Sequence, residues 1–197
     1  GAVPSSAIMK HTGFRLFFRL VKRSFFPGKD DPAPLSLKRA AVLVPTAIVL
    51  FFVQAVHRFC LWLDGLFFPG YRKVDVKEPV FVVGVPRSGT TFLHRLLADD
   101  TERFTTTALW ELVIAPSILQ RKIILGFGRL DGLVGRPLGR VFGWVERRVL
   151  GGLDAVHGTS LQSPEEDYLA LMPIFACFIF VLPFPYEDEL WKLVDFD

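Results

Sequence analysis

Glu78-Pro-Val-Phe-Val-Val-Gly-Val-Pro-Arg-Ser-Gly-Thr-Thr-Phe-Leu-His-Arg-Leu-Leu-Ala98 reads as a buried strand, a glycine-bounded turn and a helix. Val80 to Val83 is β-branched or aromatic and apolar on both faces, which suits a parallel strand covered on both sides. Gly84 and Gly89 then bracket four residues and are followed by Thr90 and Thr91. Phe92, Leu93, Leu96 and Leu97 fall at helical spacing from there on. Such a turn aims several backbone N–H groups at one point and adds the positive end of the helix dipole. The result is an anion site, most often for phosphate. A nucleoside triphosphatase needs Gly-Lys-[Ser/Thr] here, with the lysine on the β/γ-phosphates and the hydroxyl on Mg²⁺. Thr90 stands at the lysine position and the cation of the turn is Arg87. The loop suits a phosphate held without metal. The expected fold is α/β, a parallel sheet flanked by helices, following a mostly helical hydrophobic N-terminal region.

The rest of the chain sets the context of that turn. Its 197 residues suffice for one domain and a further segment, and half of them are apolar, with 20 Phe. Two cysteines, Cys60 and Cys177, exclude a disulfide scaffold and a Cys-rich zinc site. The net charge of +3 is uneven: residues 1–39 hold eight Lys/Arg and two Asp, a local +6, which leaves −3 for the remainder. No nucleic-acid-binding signature accompanies the basic arm. Arg15, Arg19 and Arg23, spaced four apart in Phe14 to Phe26, give a basic helix with an apolar opposite face. That pattern belongs to an anionic lipid interface or to a helix packed on its own domain.

Pro27-Gly28 stops this helix, and a Pro- and Asp-containing linker follows. Ala40 to Val56 is then free of charge, flanked by Lys38-Arg39 and His57-Arg58. Seventeen residues are at the lower limit for a spanning helix, so the segment either spans or dips into one leaflet. Dipping keeps the phosphate loop on the cytoplasmic face, and spanning with the basic arm inside puts it on the far side. The chain divides accordingly into a membrane-associating region, 1–77, and a domain beginning at Glu78 and running to Asp197. Between residues 117 and 150, Gly126, Gly128, Gly132, Gly135 and Gly139 are expected to break a helical, arginine-rich stretch into pieces, its arginines forming a solvated or lipid-facing stripe. Ser163-Pro-Glu-Glu166 has the composition of a capping box and predicts a helix over about Asp167 to Leu182, kinked at Pro173.

Pro86-Arg-Ser-Gly-Thr-Thr91 after a strand resembles the 5′-phosphosulfate-binding loop of sulfotransferases that use 3′-phosphoadenosine 5′-phosphosulfate (PAPS). The nearest pattern is the branch with Arg in the loop, which includes the tyrosylprotein enzymes and many bacterial sulfotransferases. Phe81 to Leu97, Leu109-Trp-Glu111 and Pro164-Glu-Glu-Asp167 also look like that bacterial type, so the resemblance covers roughly residues 66–197. It implies PAPS as co-substrate, its 5′-phosphate held by the loop Pro86, Arg87, Ser88, Gly89, Thr90 and Thr91 through loop N–H groups and the side chains of Ser88, Thr90 and Thr91. It also implies an Arg and a Ser on the 3′-phosphate well downstream. No such pair is recognised before Asp197, and with Gly1 in place of Met the chain reads as part of a longer one.

Sulfuryl transfer to a hydroxyl needs a fixed donor, a cation on the leaving phosphate and a base for the acceptor proton. Arg87 suits the second task, because a guanidinium is permanently charged. Glu111, a lone carboxylate in an apolar run, follows the loop helix at the distance where Arg-loop relatives carry a catalytic glutamate; its other reading is an ion pair with an arginine. His157 is an alternative base, and Glu165 and Asp167 are candidates to line the acceptor site. No residue set has metal-ligand spacing. The acceptor expected is a small-molecule or membrane-resident alcohol. A membrane-anchored nucleotide-binding module and a kinase are the rival functions.

Overall fold

The computed structural model describes residues 13–85, 88–149, 161–165 and 167–191. Its elements are helical: α1 (Gly13–Phe25), α2 (Leu37–Phe67), α3 (Thr90–Ala98), α4 (Leu109–Val113), α5 (Ile118–Leu133), α6 (Pro137–Val149) and α7 (Glu187–Trp191). Short 3₁₀ segments lie at Pro69–Lys73, Asp167–Ile174 and Phe178–Val181. The contacts divide into two units, one holding the residues up to Phe59 with those from Tyr168 onward, the other Cys60–Asp167.

The parallel sheet is not formed among the described residues. Their one β contact is an isolated antiparallel bridge between Ala108 and Pro164. Val80 to Val83 carries no ladder, and Phe81 and Val83 are 79% and 89% exposed. A strand apolar on both faces is stable only when neighbouring strands satisfy its backbone and other layers cover it. No described segment supplies either, so local β character stays unexpressed.

In the first unit, Phe-Phe-Pro-Gly ends a helix as expected: α1 stops at Phe25, ahead of Pro27. The stripe of α1 formed by Leu16, Phe17, Leu20 and Ser24 is buried. Phe17 stacks on Phe175 at 4.6 Å and meets Phe184 edge-on at 6.1 Å, while Phe14, Phe17 and Phe18 surround Phe51 of α2. The apolar side of this basic helix is therefore occupied largely by the chain's own aromatics. Its cations bind acids of the same unit: Arg19 meets Glu189 at 3.6 Å, and Arg23 joins Asp31 at 2.5 Å and Asp188 at 2.6 Å. The single helix expected over Asp167 to Leu182 is instead two 3₁₀ pieces separated at Phe175. Phe175 sits at φ 56°, which no α-helix accommodates, and its fully buried ring fixes the break by packing.

In the second unit α5 runs unbroken through Gly126, Gly128 and Gly132, and the break comes only at Gly135, φ 86°. Its start is held twice. Ser117 Oγ accepts from the N–H groups of Leu119 and Gln120, and Gln120 Oε1 accepts from Ser117 N. Asp64, 4% exposed near the end of α2, accepts from Ser117 Oγ at 3.0 Å, Ile118 N at 2.7 Å and Leu119 N at 2.9 Å. A buried carboxylate at a helix N-terminus gains from both the orphan donors and the dipole.

Candidate active site

The glycine turn keeps its helix-opening role. Gly89 caps α3 at φ 90°, in the left-handed region that favours glycine, and its carbonyl accepts the first helical bond from Leu93 N at 3.0 Å. Ser88 N donates to Val85 O at 3.2 Å, closing the turn before it. Gly84 is required for a different reason. A Cβ there would lie 2.6 Å from Ser88 Oγ and 2.7 Å from Thr90 Cγ2, so these two side chains fold over the glycine backbone. Ser88 and Thr90, both expected at the anion, are thus brought to one place. Thr91 is exposed on the first turn of α3. Pro86, Arg87 and His157 lie outside the described residues, as does Glu166. His94, one turn into α3, hydrogen-bonds Thr106 Oγ1 through Nε2 at 2.8 Å.

Glu111 sits in the first turn of α4 with both oxygens engaged. Oε2 accepts from Ala108 N at 2.9 Å, and Oε1 meets the Arg121 guanidinium at 3.2 Å. Arg121 is itself held by donating from Nε to Ala115 O at 3.0 Å. The arginine pairing that the sequence left open is therefore present. To act as a base, this carboxylate has to exchange Arg121 for the acceptor's hydroxyl.

The two stretches singled out around Glu111 and Glu165 meet. Leu109 N donates to Ser163 O and Trp110 N to Leu161 O, both at 3.0 Å, and Glu165 N donates to Thr107 O at 3.1 Å. Ser163 therefore contributes its carbonyl to this pairing. Asp167 opens the first 3₁₀ piece.

Beside this pairing lies an open groove of about 510 Å³. Trp110 and Gln162 form one side, and Gly128, Arg129, Gly132 and Arg136 of α5 and the turn after it form another. Gly128 and Gly132, four apart on one helix face, leave the room, and the two guanidiniums make the wall positive. Arg136 is placed by a left-handed turn, φ 60°, with its N–H on Asp131 O at 2.8 Å; the buried Asp131 carboxylate also accepts from Gly139 N. The arginines between 117 and 150 were expected to form a solvated or lipid-facing stripe; Arg129 and Arg136 are exposed and also border this groove. The Gly-x-x-x-Gly spacing between Gly128 and Gly132 was the available signal. Among the described residues no cluster of His, Cys, Asp or Glu is arranged to hold a metal.

Comparison with protein families matches the model described as the sulfotransferase family to residues 79–180. Searches of curated proteins and of solved structures found no match.

Proposed function

Since the chain belongs to the sulfotransferase family, whose model covers more than half of it, we propose that it is a membrane-associated, PAPS-dependent enzyme transferring a sulfuryl group to a hydroxyl acceptor. The observation that carries this is the family match over a segment that includes the turn in which Ser88 and Thr90 close on Gly84 before a helix N-terminus. Backbone N–H groups and hydroxyls there suit the 5′-phosphosulfate, and Arg87 would stabilise the charge developing on the leaving phosphate. Pro86, Gly89 and Thr91 complete the cradle. Transfer is in line and draws on no metal: Thr90 stands where a Mg²⁺-dependent kinase has its lysine, and the cation of the loop is Arg87 instead.

Glu111 takes the acceptor proton once released from Arg121, with His157 as the alternative base. The groove beside Trp110 is the space for the acceptor, with Glu165 and Asp167 near its rim in sequence. Residues 1–77 attach the enzyme to a membrane: α2 is the one helix among the described residues long and apolar enough to cross one. The catalytic portion is assigned to the cytoplasmic face, where the nucleotide is available.

The test is transfer of radiolabelled sulfur from PAPS to hydroxyl-bearing membrane lipids in the presence of EDTA. The expected result is a labelled lipid with the parent chain and none with Arg87→Ala. Equal labelling by the two removes Arg87 from the mechanism, and transfer abolished by EDTA removes the metal-free reading.

A further inference from the structure

The two faces of α2 are chemically reversed for a helix of a water-soluble domain. Ile48, Val49, Phe52, Val56, Phe59 and Trp62 are exposed, and at 100° per residue they fall on one arc. Leu43, Ala47, Gln54, His57 and Asp64 lie on the opposite arc and are buried. Gln54, His57 and Asp64 thus face protein, while most of the large aromatic and aliphatic residues face outward along most of a 31-residue helix. Six large apolar side chains on one continuous face exceed what a soluble surface normally leaves open.

A helix of this length and composition could cross a bilayer, but its neighbours in the first unit argue against that placement. α1 lies antiparallel beside the charge-free part of α2. At one end the Arg58 guanidinium stands 5.4 Å from the Phe14 ring centroid, and a Cβ on Gly13 would come within 2.8 Å of Arg58 Nη1. Midway, Phe51 touches Phe14, Phe17 and Phe18. At the other end Tyr186 receives a hydrogen bond from Arg39 at 3.4 Å and lies under the Arg23 guanidinium at 4.6 Å. Were residues 40–56 to span, α1 would enter the hydrocarbon with them. The Arg19–Glu189 and Arg23–Asp188 pairs and the exposed Arg15 and Lys22 would go too. Charges at that depth are strongly disfavoured.

We propose that α2 lies in the plane of an anionic membrane, its exposed arc sunk into one leaflet and its polar arc carrying the protein, without crossing. This rests on the membrane-associated reading above and deepens it. The lipid is anionic because Lys38 falls on the exposed arc at one end of the helix and the first 39 residues carry a net +6. Both ends of α2 then stay on the same side of the bilayer.

The experiment uses the full chain, synthesised in the presence of sealed vesicles of phosphatidylcholine and phosphatidylserine. Cysteines are placed before and after α2, Ser36→Cys or Tyr71→Cys, in a Cys60→Ala background; Cys177 is fully buried. Vesicles are pelleted and treated with a membrane-impermeant maleimide. In-plane binding predicts that both cysteines are modified without detergent. If one is protected until detergent is added, the helix spans and the proposal fails while membrane association stands. If the chain does not pellet with vesicles, the membrane reading itself falls. Phe52→Glu with Trp62→Glu, both on the exposed arc, should weaken vesicle binding by about tenfold or more. A chain that stays in solution as a dimer, and becomes a monomer with these changes, would assign the face to a second copy.

Discussion

Arg23 of the first unit pairs with two carboxylates, and these partners give it a pH signature. Its guanidinium binds both Asp31 and Asp188, and its own pKa is raised mainly by the Asp31 hydrogen bond and then by that to Asp188. In return Arg23, helped by Gly28 N, holds the Asp31 carboxyl below its usual value. A carboxyl with a depressed folded-state pKa contributes stability that is complete above the unfolded value of about 4. That contribution is lost as pH falls through the lower folded value. Urea unfolding at descending pH should therefore show a loss below about pH 4 that Asp31→Asn lacks. Identical profiles for parent and variant would contradict the pairing. Gly89 offers a second test at this scale. Alanine at φ 90° costs about 1–2 kcal/mol of backbone strain. Gly89→Ala should lower the unfolding free energy by that amount and weaken anion binding at the turn. An unchanged protein would mean that the loop does not need its left-handed residue.

Among the elements, α5 depends on a residue far from it in sequence. Asp64 satisfies two N–H groups and one hydroxyl at its start, so Asp64→Ala leaves buried donors without a partner and should cost about 2–3 kcal/mol. Asp64→Asn keeps an acceptor and should cost less than half of that, while Ser117→Ala should cost about 1 kcal/mol. Chemical denaturation measures all three, and equal losses for Asn and Ala at position 64 would remove the capping role. The helices were legible where the signal is local. Phe14 to Phe26 anticipated Gly13–Phe25 to within a residue, and Pro27 marked its end. Ser117-Ile-Leu-Gln120 spelled out a capping box that was overlooked, whereas Ser163 to Glu166 had the same composition without leading into an α-helix. There the decisive term was the packing of Phe175, which no window of sequence contains. The strand at Val80 to Val83 failed for a related reason: β structure is completed by neighbours, and its local propensity has none among the described residues. At the site, the turn and the α3 start follow from residues visible in the sequence, whereas the backbone hydrogen bonds that join the Glu111 and Glu165 stretches do not. The Arg121 partner of Glu111 and the groove arginines became visible only once α5 was seen to be continuous.

For the whole molecule, the family match supports a transferase of the sulfotransferase family, and the function proposed for it adds a metal-free anionic donor and a membrane surface. The donor is the central claim, because the loop, Arg87 and the expected acceptor chemistry all depend on it. The most direct measurement is the thermal unfolding of the intact protein in detergent with adenosine 3′,5′-bisphosphate, the product left by PAPS, in the presence of EDTA, beside the same protein with Mg-ATP. A ligand bound only by the folded state at about a hundred times its Kd adds about 2.7 kcal/mol and raises the midpoint accordingly. The sulfotransferase account predicts that rise with the bisphosphate, a smaller one or none with Mg-ATP, and its loss in Arg87→Ala. No shift with the bisphosphate, or a larger shift with Mg-ATP, would contradict it.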